Sequence, residues 1–324
     1  MKASVVACAN LALIKYWGNL YDKLNIPIND SISVSLEDLQ STTTIEFSTN
    51  YTDQLILNNT VVAGEGRERF LFLLNHFRLL TGLDLPVHVV STNNFPTAAG
   101  IASSASGFGA LAHALFEASG LEYTDKDVSS LARLGSGSAA RTIIPGFAHW
   151  HRGADHDSSH ATQLAEPNDL RILVTITSNL EKPVSSSKAM KQSRMSSPFF
   201  TQRGSTANDH IPFLTKAILE WDFEKIGEIT QREANNLHAV INTTEMGIYY
   251  WNRTTIEIIH KIKQLQDQGI DCYYTMDAGP QVKILVMNEN VTSVLDALKE
   301  IDEIKQIINT GVGFGSKVID RHLF

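Results

Sequence analysis

The sequence predicts an α+β protein built in two lobes, and three observations predict it. The chain has 324 residues, enough to bury two cores. In its first half an apolar strand feeds a turn rich in glycine, alanine and serine, which opens directly into a helix with an apolar stripe. In its second half the order strand, helices, hairpin, helix, strand is that of a sandwich with an antiparallel sheet. A boundary is expected near Glu166-Pro167-Asn168, dividing the chain into lobes 1–167 and 168–324.

Ser4 to Ile14 reads as an apolar strand interrupted by Asn10, running into Lys15-Tyr16-Trp17-Gly18. Ile32 to Leu36 and Thr42 to Phe47 alternate as two strands do, and Leu55 to Val62 forms a hairpin turning at Asn58-Asn59. Arg67 to Leu80 places Phe70, Leu73, Leu74 and Phe77 at helical spacing and stops at Gly82. Leu85 to Val90 is a strand. After the small-residue turn, Phe108, Leu111 and Leu115 mark a helix ending at Gly120. Thr124 and Asp127 have the spacing of a capping box, ahead of a stripe of Val128, Leu131 and Leu134.

Leu170 to Thr177 is the first strand of the second half. Pro198 to Gly204 reads as loop, and Ile211 to Trp221, Phe223 to His238 and Thr254 to Gln268 as helices, the last with the stripe Ile256, Ile259, Ile262 and Leu265. Between Asp271 and Met287 two strands join through Asp277-Ala278-Gly279-Pro280. Val291 to Ile304 is then a helix, and Gln306 to Ile308 a last strand.

Composition narrows the function. Hydrophobic residues make up 43% and charged residues 19%, as in an ordinary globular protein, and the formal net charge of -8 argues against a general nucleic-acid or anionic-membrane binder. An anionic small molecule stays compatible with that charge, because a few cations focused in a cleft outweigh the global balance. Cys8 and Cys272 are too few for a disulfide framework or thiolate metal site. The N-terminus lacks a signal-peptide pattern and no window approaches about 18 apolar residues, so a soluble cytoplasmic protein is expected.

Asn94 to Gly109 is the organising stretch. Such a turn leaves unpaired backbone N–H groups at a helix N-terminus, where the macrodipole favours a phosphate, and Ser103 and Ser104 add hydroxyls within reach of a phosphate oxygen or its Mg²⁺. No lysine follows as in a Walker A loop, and close packing of helix on sheet explains the same composition. Gly135 to Arg141 is a second small-residue turn whose serines and arginine suit an anion, or simply join two helices. Lys15 beside two aromatics is either a snorkelling lysine or a site cation. Asp277 either caps its turn or orients and deprotonates a hydroxyl. His149 to His160 holds four histidines and two aspartates, but only His156 and His160 have helical ligand spacing, and the composition favours a polar surface loop.

Together these stretches resemble one family. Ala9-Asn10 with Lys15-Tyr16-Trp17-Gly18, Ser31-Ile32-Ser33-Val34, NNFPTAAGIASSASGF, Gly135 to Ser138 with Arg141, His156-Asp157-Ser158, Val184-Ser185-Ser186 with Met190, and Met276 to Pro280 match the diphosphomevalonate decarboxylases of the GHMP kinase superfamily, in order over nearly the whole chain. The resemblance implies a ribosomal-protein-S5-like nucleotide-binding lobe, a ferredoxin-like α/β sandwich lobe and commonly a homodimer. It also implies use of ATP and Mg²⁺ to phosphorylate the 3-hydroxyl of a 5-phosphorylated mevalonate, which then loses CO₂ to give isopentenyl diphosphate.

By the same resemblance Asp277 orients the hydroxyl, Lys15 neutralises charge beside it, and Arg141 with Asn10 holds the C1 carboxylate. Tyr16, Ser136, Ser138 and Ser186 contact substrate. Pro96, Ala99, Gly100, Ala102, Ser103, Ser104 and Ser106 cradle ATP, with Ser104 toward the metal. Three positions depart from the pattern: Asn19 where a second lysine grips the diphosphate, Ala189 for glycine, and Gln281 for asparagine. Unless Lys23 or Lys188 replaces the missing cation, a 5-monophosphate substrate is the alternative, and a kinase that releases no CO₂ or a nucleotide-binding protein without turnover are the others.

Overall fold

The computed structural model describes residues 1–95, 103–166, 169–178 and 182–324. Pro96, Ala99, Gly100, Ala102, Pro167 and Asn168 lie outside the described residues. The strands are β1 (Lys2–Ile14), β2 (Asn19–Tyr21), β3 (Ile26–Pro27), β4 (Ser31–Phe47), β5 (Gln54–Leu57), β6 (Thr60–Val61), β7 (Val87–Asn93), β8 (Phe147–Trp150), β9 (Ala161–Ala165), β10 (Leu170–Ile176), β11 (Cys272–Thr275), β12 (Lys283–Met287), β13 (Gln306–Thr310) and β14 (Ser316–Ile319). The helices are α1 (Gly64–Thr81), α2 (Ser103–Ser119), α3 (Asp125–Gly135), α4 (Ser186–Ser196), α5 (Phe200–Glu220), α6 (Phe223–Asn242), α7 (Arg253–Asp267) and α8 (Val291–Leu298). None of the described helices is long and apolar enough to cross a membrane.

The larger sheet runs β14-β1-β4-β7-β5-β6, with β8 and β9 extending from β4, and the smaller is an antiparallel β11-β12-β10-β13. The α+β expectation therefore holds, though the second half returns to the first: β14 pairs antiparallel with β1, Ser4 opposite Ile319. One face of the larger sheet carries the helix-backed core of Val5, Ala7, Phe70, Leu111 and Leu131. Further along β1, Leu11 and Leu13 belong instead to a core shared with α5, α6 and β10. Between the two, the register slips at Cys8–Ala9, where Glu37 to Leu39 bulge out of β4. Such a bulge re-aims a strand, and it lets one strand serve two cores.

Local chemistry explains most boundaries. Asn58 and Asn59 hold φ of 47° and 65°, as the tight turn between β5 and β6 requires. Gly82 ends α1 in the left-handed region, and Thr124 and Asp127 form the expected reciprocal box at α3.

Four expectations need correction. Ile32 to Phe47 is one bulged strand, because pairing with β1 continues on both sides of the bulge. Pro198 to Gly204 is not a loop: α5 begins at Phe200 and carries Gly204 and Pro212 within it, with Gly204 facing the Ile28 side chain. Ile256 is exposed, and the buried stripe of α7 is Ile258, Ile259, Ile262 and Leu265. The helix from Val291 stops at Leu298, short of Ile304.

Candidate active site

The end of β1, the turn after α3, the start of α2, the start of α4 and the loop after β11 converge on a cleft of about 410 Å³. Its lining includes Asn10, Lys15, Tyr16, Ser103, Ser104, Ser136, Ser138, Arg141, Ser186 and Asp277. Gly18, at φ 120°, turns the chain beneath this cleft, where a Cβ would lie 2.7 Å from the Phe200 ring. Gly137 lets its turn approach the Tyr16 ring, since a Cβ there would meet the Tyr16 hydroxyl at 2.7 Å. Trp17 anchors the floor through Nε1, which donates to Ser193 Oγ at 3.1 Å.

Asp277 stands between two lysines. Lys15 Nζ is 3.0 Å from Oδ1 and Lys283 Nζ is 3.3 Å from Oδ2, with both lysines buried. Burial alone would raise the Asp277 pKa, but the two ammonium groups overcome it and hold the carboxyl far below the usual carboxylate range. Lys15 is pulled below an ordinary lysine by its burial, with Asp277 opposing that pull. His238 Nε2 lies 3.1 Å from the Asp277 carbonyl oxygen, and burial with the nearby Lys15 charge pushes its pKa to about 3, so the ring is neutral and donates there.

Arg141 is fully enclosed on the opposite wall. Its guanidinium donates to Asn10 Oδ1 at 3.2 Å and to Ser31 Oγ at 2.5 Å, and sits 5.7 Å from the Trp150 ring centroid. Asn10 is itself fixed by donating to the Ser138 carbonyl at 3.1 Å and to Thr142 Oγ1 at 2.8 Å. Burial lowers the Arg141 pKa to about 10, which still leaves it charged at neutral pH. Its Nε is buried with no hydrogen-bond partner among the described residues, so its planar fork suits an incoming carboxylate.

Ser104 Oγ lies 3.2 Å from Ser136 Oγ, and Ser136 Oγ 3.4 Å from Ser138 Oγ, a row of hydroxyls leading from the N-terminus of α2 to Arg141. Ser106 points away: it is fully buried and its hydroxyl pairs with Ser41 at 2.7 Å, so it fastens α2 to the sheet. Tyr16 donates to Asn19 Oδ1 at 2.5 Å, and the Asn19 amide donates to Asn25 at 3.3 Å. Lys23 and Lys188 are both exposed and neither lines the cleft. The cations that do, and that were not singled out from sequence, are Arg69 and Lys182; Lys283 was missed too. Lys182 Nζ donates to Ser186 Oγ at 2.9 Å and to the Ala278 carbonyl at 3.1 Å. His156 Nδ1 meets Arg133 at 3.0 Å and is not part of a metal-ligand group with His160 among the described residues.

Residues 7–161 match the family model for the diphosphomevalonate decarboxylase-like N-terminal domain, and residues 172–319 that for the mevalonate 5-diphosphate decarboxylase C-terminal domain. The chain is 35% identical to diphosphomevalonate decarboxylase of Candida albicans, over 91% of this chain and 87% of that one. It superposes on mevalonate diphosphate decarboxylase from Staphylococcus aureus with a TM-score of 0.93 at 34% identity, covering 98% of each chain. It also superposes on MDDEF in complex with MVAPP, AMPPCP and magnesium with a TM-score of 0.92 at 33% identity, covering 99% of each.

Proposed function

The chain belongs to the diphosphomevalonate decarboxylase family, and we propose from that membership and its cleft how its own residues carry the reaction. It has the GHMP kinase fold and catalyses ATP-dependent decarboxylation of (R)-5-diphosphomevalonate to isopentenyl diphosphate, with ADP, phosphate and CO₂ as the other products. The observation that carries the residue assignment is Asp277 held ionised between Lys15 and Lys283, across one cleft from Arg141.

A tertiary hydroxyl is a poor leaving group, so the 3-oxygen first bonds to the γ-phosphorus of ATP as the bond to ADP breaks. Asp277 orients that hydroxyl. A carboxylate kept so acidic is a weak proton acceptor, so positioning is its main contribution, and the hydroxyl proton passes late to an oxygen of the transferred phosphate, as a loose phosphoryl transfer permits. Lys15 offsets the charge gathering between Asp277 and the phosphate. In the second step the C1–C2 bond breaks, its electron pair becomes the C2–C3 double bond, and the 3-phosphate departs. Arg141, steadied by Asn10, holds the C1 carboxylate until it leaves as CO₂.

Tyr16, Ser136, Ser138 and Ser186 hold the substrate. The α2 N-terminus, with Ser103 and Ser104, takes the ATP phosphates. Its position on the cleft wall supports that role, and Ser104 Oγ would be the protein oxygen toward the ion, as the family resemblance implies. Mg²⁺, when bound, screens the phosphate oxygens. Division into lobes 1–167 and 168–324 is supported by family matches that end at 161 and resume at 172. A cytoplasmic homodimer completes the reading, as the family resemblance implies, and sedimentation of the pure protein tests the dimer.

Incubation with ATP, Mg²⁺ and, in parallel, mevalonate, 5-phosphomevalonate and 5-diphosphomevalonate, following ADP and CO₂ together, tests the reaction. Equal ADP and CO₂ with the diphosphate is expected; ADP alone would make the protein a kinase, and neither product would overturn the assignment. The neutral Asn19 favours one second reading, turnover of the 5-monophosphate as well.

A further inference from the structure

Asp30, His149 and His151 stand together outside the cleft, and we propose that they form a binding site for a borderline divalent transition-metal ion of the Zn²⁺ class. The topology brings them together. β8 pairs antiparallel with β4, Ser31 opposite Trp150, so Asp30 just before β4 lies beside the end of β8. His149 lies in β8 and His151 just past its end, two residues on, where the His151 N–H still donates to the His160 carbonyl; their ring centroids are 4.0 Å apart.

The donor atoms have metal-site spacing. Asp30 Oδ2 is 2.8 Å from His149 Nε2 and 3.9 Å from His151 Nδ1, and one donor atom from each residue lies within 4.8 Å of the others. An ion about 2.0–2.2 Å from each ligand needs donors roughly 3–3.5 Å apart, and the two measured separations bracket that value. Two of the three remaining polar atoms are already engaged elsewhere. His151 Nε2 meets Thr162 Oγ1 at 2.8 Å, and as donor there it leaves the Nδ1 lone pair toward Asp30. Asp30 Oδ1 accepts the Arg152 backbone N–H at 2.8 Å, leaving Oδ2 for the ion. Outer contacts of this kind orient metal ligands. Binding breaks one hydrogen bond, and the His149 proton moves from Nε2 to Nδ1.

Two imidazoles and one carboxylate suit Zn²⁺, Co²⁺ or Ni²⁺ better than Mg²⁺, which prefers oxygen ligands alone. The side chains are 14%, 41% and 27% exposed for His149, His151 and Asp30, so an ion has access. The role is structural. The ligands flank Ser31 and Trp150, two of the residues against the Arg141 guanidinium, so a bound ion ties together the strand ends that shape the Arg141 wall.

The test titrates untagged, metal-stripped protein, without nucleotide, with Co²⁺ followed by its visible d–d absorption, and with Zn²⁺ by calorimetry. About one ion per chain is expected, with Zn²⁺ displacing the Co²⁺ spectrum and raising the melting temperature. His151→Gln and Asp30→Asn should each weaken binding at least about tenfold, while His156→Gln leaves it unchanged. His151 is well exposed, so its variant should fold even if a His149 variant does not, and circular dichroism checks this. Absence of the Co²⁺ band, or a band that His151→Gln leaves intact, would overturn the proposal and make the cluster a plain Asp–His hydrogen-bond pair.

Discussion

Arg203 and Glu233 meet at 2.7 Å with both side chains buried, and between them they grip both main-chain polar groups of Lys15. Arg203 Nη2 donates to the Lys15 carbonyl at 3.0 Å, and the Lys15 N–H donates to Glu233 Oε2 at 3.4 Å. Arg203 lies on α5 and Glu233 on α6, so two helices of the second half fix the lysine at the end of β1. His210 adds a contact of 2.8 Å to Glu233 Oε1.

Removing one partner of such a pair strands a charge in the interior. Glu233→Ala should therefore cost about 3–5 kcal/mol in urea denaturation, and the double variant Arg203→Met/Glu233→Leu distinctly less. Burial would raise the Glu233 pKa, but His210 and Arg203 lower it below an ordinary glutamate. Its contribution is accordingly full above the unfolded-state pKa and fades as pH falls through the folded value. A double variant as unstable as the single would show that the lost hydrogen bonds to the Lys15 main chain, not the stranded charge, set the cost.

Asp277→Asn keeps the size of the side chain and removes the charge that balances Lys15 and Lys283. Turnover should fall by about 10²–10⁴ or more while ATP binding, read by equilibrium titration, survives. A variant with near wild-type rate would remove Asp277 from the mechanism.

The lysines give a signed pH prediction. Burial lowers the Lys15 pKa first, Asp277 raises it, and Lys283 lowers it again. If protonated Lys15 is required, the basic limb of kcat/KM marks its loss. Lys283→Met removes one depressing charge, so that limb should move to higher pH; the Asp277 pKa should rise at the same time, because Lys283 is one of the charges holding it down. A basic limb that stays still, in a variant shown by circular dichroism to be folded, would assign it to another group.

How much of this was legible in the sequence depended on whether a residue's role was local. The amphipathic helices and the turn at Asn58-Asn59 follow from periodicity and φ, so they could be read directly. α4 could not: SSKAMKQSRMS buries only Ala189 and Ser193, leaving no apolar stripe to see. β14 is a half-exposed four-residue segment that is a strand only because the edge of β1 accepts it. At the site, Asn10, Lys15, Arg141 and Asp277 sit in recognisable motifs, whereas Arg69 is hidden among the residues of an ordinary surface helix. Lys283 had a signal that was passed over, a lysine inside the apolar run QVKILVM, which burial makes costly unless a carboxylate waits for it.

Asn19 gives the last prediction. Its side chain is engaged with Tyr16 and Asn25, and Asn25 is in turn tied to the Arg133 carbonyl at 2.9 Å, so position 19 is pre-arranged and neutral. By the family resemblance, a lysine there would add a charge-assisted contact to the terminal phosphate of a 5-diphosphate that a 5-monophosphate lacks. One such contact is worth about 1.5–3 kcal/mol, or roughly tenfold to a hundredfold in affinity. Asn19→Lys should therefore lower KM for 5-diphosphomevalonate while changing that for 5-phosphomevalonate far less, with kcat nearly constant because the contact is the same in ground and transition states. If both KM values fall together, the new charge acts on the cleft as a whole; if neither moves, the diphosphate is held by other groups, with Arg69 and Lys182 the next cations to replace.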